Sequence, residues 1–126
     1  MILIIGGVYQ GKLEYAREHY PEAPVIQCDD MNHELDLPDE SCIINALHLF
    51  ILAQTKAGIN TYEYLEQHMS RLQNKIIVCD DISCGVVPIS SELRFWREST
   101  GRCLGLISKN SDKVIRLYCG IPSVIK

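Results

Sequence analysis

The sequence predicts an α/β fold, a mostly parallel sheet flanked by helices in three layers, as a single domain over residues 1–126. Three observations lead there. Short apolar runs alternate with helical stretches from end to end, which implies parallel strands joined by right-handed crossovers. The runs are continuously apolar, as strands buried on both faces are. A chain of 126 residues with 47% hydrophobic positions suffices for one core and leaves little room for a second.

Ile2 to Ile5 is the first strand, ended by Gly6-Gly7. From Lys12 to Tyr20 good helix formers place Leu13, Ala16 and Tyr20 on one face, and Pro21 stops them. Pro24 to Cys28 is a short second strand. Asp29 to Ser41 carries Asp29, Asp30, Glu34, Asp36, Asp39 and Glu40 and reads as a polar connection. A third strand, Cys42 to Asn45, leads into an apolar helix from Leu47 to Lys56. Asn60-Thr61-Tyr62-Glu63 starts a further helix with Tyr62, Leu65, Met69 and Leu72 as its buried stripe. Lys75 to Cys79 is the fourth strand, followed by Asp80-Asp81 and a Gly85–Pro88 loop. Ser90 or Ser91 caps a helix through Thr100, Gly101 ends it, and a separate helical segment runs from Arg102 to Ser108. Lys113 to Cys119 is the last strand.

Composition narrows the function classes. A net charge of −4 offers no basic face for nucleic acid, and 7% aromatic residues with one Trp, Trp96, argue against base-stacking platforms. The six cysteines form no CxxC pair and no Cys/His cluster, so they read as reduced thiols of a cytoplasmic protein. The N-terminus lacks the basic region of a signal peptide. The most apolar stretch, Cys42 to Ala53, is too short to span a membrane.

Chemistry concentrates in Gly6-Gly7-Val8-Tyr9-Gln10-Gly11-Lys12-Leu13, between the first strand and the first helix. This is the phosphate-binding loop pattern in its proper context, and it makes the fold P-loop NTPase-like, of the RecA type. Glycines let backbone N–H groups converge on an anion, and the helix N-terminus adds partial positive charge. Lys12 is placed to neutralise the β- and γ-phosphates of ATP or GTP. Leu13 breaks the pattern, because a hydroxyl there normally ligates Mg²⁺. Asp80 and Asp81, leaving the fourth strand at the edge where parallel sheets gather ligands, are the remaining metal candidates; Asn45 ends the third strand with a weaker amide. Arg94 and Arg102 are anion-binding candidates, and His48 reads as a hydrogen-bonded core or cleft histidine.

Three blocks resemble the bifunctional adenosylcobinamide kinase / adenosylcobinamide-phosphate guanylyltransferase family of cobalamin biosynthesis. They are Met1–Gly7 with its loop, Ile76–Pro88, and Arg94-Phe95-Trp96-Arg97-Glu98-Ser99-Thr100-Gly101-Arg102 followed by Gly120-Ile121-Pro122. The resemblance implies ATP- or GTP-dependent phosphorylation of a cobinamide-type hydroxyl, with Lys12 and Asp81 as catalytic residues. It also implies assembly as a homo-oligomer, a trimer. The departures are as specific as the matches. The family's Ser-Gly-Lys-Ser is Gln10-Gly11-Lys12-Leu13 here, its strand-three acid is Asn45, its Asn-Glu pair is Asp80-Asp81, and its later Asn-Gln is Leu104-Gly105. The segment that carries the family's guanylyl-accepting histidine shrinks to Asp29–Ser41, where His33 stands among acids, the wrong field for that chemistry. Two readings follow: a cobinamide kinase-like protein without guanylyl transfer, or a non-catalytic nucleotide- or phosphate-binding homologue acting as a partner or regulatory subunit. Tyr9 or Leu13 filling the phosphate nest would exclude the first.

Overall fold

A computed structural model describes residues 1–82 and 90–126. The elements are β1 (Ile2–Gly6), α1 (Lys12–His19), β2 (Val25–Gln27), β3 (Ile43–Asn45), α2 (Leu47–Lys56), α3 (Thr61–Gln67), α4 (Met69–Leu72), β4 (Ile76–Asp80), α5 (Ser91–Asn110), β5 (Lys113–Tyr118) and β6 (Ile121–Val124). One sheet runs in the order β2-β3-β4-β1-β5-β6. Its strands are parallel except β6, which pairs antiparallel with β5.

Consecutive strand residues divide between two cores. Leu3, Ile44, Ile77 and Val114 pack with Leu47, Phe50 and Ile51 of α2, Leu65 of α3, Leu72 of α4 and Cys103 and Ile107 of α5. Their neighbours Ile4, Ile43, Ile76, Val78 and Ile115 pack with Ala16 and Leu13 of α1. The central strands are therefore covered by helices on both faces, which is why they read as unbroken apolar runs. The α/β sheet flanked by helices agrees with the sequence.

Several boundaries are corrected. β6 is a strand the sequence reading did not include. Cys119 (φ 51°) and Gly120 (φ 75°) are both left-handed, so they form a two-residue hairpin turn between β5 and β6. Pro122 fits because β6 is an edge strand. Gly101 does not end a helix: α5 runs unbroken through it, because Thr100, Cys103 and Ile107 stay buried on its opposite face. Tertiary packing of that face outweighs the glycines. The helix expected from Asn60 is split at His68, whose ring Nδ1 bonds Tyr64 O at 2.7 Å and competes with the backbone there. Its start is as expected, with the Asn60 side chain accepting from the Glu63 N–H.

The connection from Asp29 to Ser41 holds no regular element but is well anchored. Lys75, 2% exposed, donates to Pro38 O and Glu40 O, each at 2.7 Å, and Arg71 donates to Leu37 O. Among the described residues Cys28, Cys42, Cys79 and Cys103 are buried free thiols, and Cys119 is free and exposed. Burial pushes the Cys28 thiol up to about 12, with the nearby Asp29 adding to it, so that thiol is inert at neutral pH. Cys84 and the Gly85–Pro88 loop lie outside the described residues. No described helix is long and apolar enough to cross a membrane.

Candidate functional site

β1 closes on Gly6, where no larger residue fits: a Cβ there would lie 2.6 Å from the backbone oxygen of Leu117 on β5. The chain then turns through a loop in which Tyr9 (φ 61°) and Gly11 (φ 83°) are left-handed and Gln10 between them is not. Alternation of this kind turns successive N–H groups to one side, the geometry of an anion-binding nest. α1 starts at Lys12 with Gly11 as its cap and no side-chain hydrogen bond to its first turn, which leaves those N–H donors uncapped by a side chain.

Lys12 is 6% exposed and points into the loop. Its Nζ donates to Gly7 O at 2.6 Å and pairs with Asp80 Oδ1 at 2.7 Å. The partner comes from β4 because β4 lies beside β1, with Asp80 in register with Gly6. His48, at the start of α2, closes the group. Its Nδ1 accepts the Asp80 N–H at 3.1 Å, which leaves the ring proton on Nε2, facing Asp80 Oδ2 at 3.4 Å. Burial lowers the His48 pKa, Asp80 works against that shift, and Lys12 adds to it. The imidazole is therefore neutral at pH 7, and Asp80 balances Lys12. The His48 carbonyl accepts from Trp96 Nε1 at 2.7 Å, tying α2 to α5 beside the site.

A second clamp holds the loop from outside. Gly120 N–H donates to Gln10 O at 3.2 Å, and Cys119 N–H donates to Gln10 Oε1. The hairpin turn therefore fixes the residue between the two left-handed positions.

The structure thus brings Gly6, Gly7, Gln10, Gly11, Lys12 and Asp80 together. Tyr9 is 99% exposed and Val8 55%, so both face solvent, and Leu13 packs with the α1 core. Neither Tyr9 nor Leu13 fills the nest. Asp81 is turned to the other side, where its Oδ2 meets Arg116 at 3.1 Å while its N–H donates to Gly6 O. Arg94 is exposed at the start of α5. Arg102 lies over the Tyr62 ring, 5.7 Å from its centroid, in a separate cavity. Asn45 donates to Gln27 Oε1 at 2.6 Å.

As a resident metal site this donor set is thin. Among the described residues Asp80 is the carboxylate that pairs with Lys12 and is neutralised by it, Leu13 offers no oxygen, and Asp81 faces Arg116. Among the described residues no group of three or more His, Cys, Asp or Glu converges. Among the described residues no closed Mg²⁺ site is built, and a metal here would be held chiefly through the nucleotide's own phosphates. The sequence reading assigned no part to Gln10 as a clamped residue or to Arg116 as the partner of Asp81. Both depend on β5 lying beside β1, and strand order leaves no trace in residue spacing. Comparison with known proteins adds no relative: no family model and no curated protein matches the chain.

Proposed function

We propose that the chain is a P-loop nucleotide-binding protein of RecA type, whose Gly6–Lys12 loop holds the phosphates of ATP or GTP. The observation that carries this reading is the loop itself: left-handed Tyr9 and Gly11, the uncapped start of α1, and a buried Lys12 ammonium at its centre. Incoming phosphate oxygens would compete with Asp80 for Lys12, so binding exchanges one ion pair for another. The reaction belonging to this reading is kinase-type transfer to a cobinamide-type hydroxyl in the cytoplasm, without guanylyl transfer. The acceptor oxygen would bond to the γ-phosphorus as the bond to the nucleoside diphosphate breaks. In this reading Asp80, released from Lys12, would take the hydroxyl proton. Assembly as a homotrimer follows from the same resemblance and is open to sedimentation analysis.

A second reading, binding without turnover by a partner or regulatory subunit, is favoured by one observation: Leu13 packs in the core where a metal-ligating hydroxyl is needed. One experiment separates the two. Thermal stability is measured with ATP and GTP, with and without Mg²⁺, alongside nucleoside diphosphate release in the presence of cobinamide. Stabilisation plus Mg²⁺-dependent release supports the kinase, stabilisation alone supports the binder, and no stabilisation at millimolar nucleotide contradicts both.

A further inference from the structure

A cavity of about 260 Å³ opens within the helical layer, between the α2–α3 connection and α5. None of its described lining residues belongs to the Gly6–Lys12 loop. Phe95, Glu98 and Arg102 recur at helical spacing on α5 and share one face of it. Ile59 and Tyr62 line the cavity from the α2–α3 side.

Two charged side chains at this cavity, Glu98 and Arg102, are in no ion pair among the described residues. Glu98 and Arg102 stand at the i,i+4 spacing that favours an ion pair, yet no ion pair joins them. Arg102 rests instead over the Tyr62 ring, with no carboxylate partner among the described residues. Thr61 also borders the cavity but is 1% exposed, and its Oγ1 is closed off from it. Phe95 keeps 57% of its surface exposed at the same cavity.

We propose that this cavity is a second small-molecule site, which takes an organic monocarboxylate with a flat apolar body. The Arg102 guanidinium supplies the parallel N–H donors that match a carboxylate. The apolar body covers Phe95 and Ile59. Glu98 on the same wall repels a second negative charge, so phosphate and dicarboxylates are excluded. That selectivity sets the cavity apart from a polyphosphate site, and the proposal does not depend on what the Gly6–Lys12 loop binds.

The test is an amide-resolved NMR titration of the intact chain with benzoate, its neutral analogue benzamide, and inorganic phosphate. Benzoate is expected to give saturable shifts at Thr61, Tyr62, Ser99 and Arg102. Benzamide and phosphate should bind at least about tenfold more weakly. Arg102→Gln, an exposed substitution, should weaken benzoate by at least about tenfold with the rest of the spectrum unchanged. Glu98→Gln should admit phosphate, an effect that mere loss of folding would not produce. Equal binding of benzoate and benzamide, retention of benzoate affinity by Arg102→Gln, or no saturable shift at these residues would overturn the proposal.

Discussion

Lys12, Asp80 and His48 form a contiguous chain of polar contacts beside the loop. The buried Lys12 side chain is held by Asp80 at 2.7 Å and by Gly7 O at 2.6 Å. The same carboxylate opposes an incoming polyphosphate. Asp80→Asn is therefore expected to tighten nucleotide binding by roughly tenfold at low salt while abolishing transfer, measured by calorimetry and by diphosphate release. His48 makes a pH prediction. Its pKa is lowered in the folded chain, chiefly by burial, so in acid the unfolded chain takes up a proton the folded chain refuses. Stability from this group is complete above about pH 6.5 and declines as pH falls from there through the lower folded value. Urea midpoints measured across that range should show the decline, and His48→Gln should flatten it.

Elements explain which parts of the sequence were legible. Strands β1, β3, β4 and β5 were readable because both of their faces are buried, which leaves a local signature in Ile2–Ile5 or Ile76–Cys79. β6 was not, because an exposed edge strand containing Pro122 carries no apolar periodicity, and only pairing with β5 defines it. Gly101 misled for the opposite reason: a local helix-breaking signal was outweighed by packing of Cys103 and Ile107 on the far face of α5, which also runs through Gly105. This gives a test of α5. Both glycines are exposed, helical and free of neighbours within 4 Å of an added Cβ. Gly101→Ala and Gly105→Ala should each raise stability by about 0.5–1 kcal/mol in urea denaturation, with no change in ligand binding.

At the scale of the whole molecule, strand order decides which predicted residues meet. The loop could be read from spacing because its parts are contiguous, from Gly6 to Lys12. Its partners could not: placing β4 and β5 on either side of β1 gives Lys12 the carboxylate of Asp80, sends Asp81 to Arg116, and puts the Cys119–Gly120 turn against Gln10. Arg102 is carried to the outer cavity instead of the loop. The central claim is that this assembly binds nucleotide phosphates through the loop and its lysine. The most direct test is a calorimetric titration of ATP and GTP into the wild-type chain and into a double variant, Lys12→Met with Asp80→Asn, which removes both charges and leaves neither unpaired. Saturable 1:1 binding by the wild type, weakened about a hundredfold or more in the double variant, is the predicted result. Equal affinity in both proteins, or no heat of binding from either nucleotide, would contradict it.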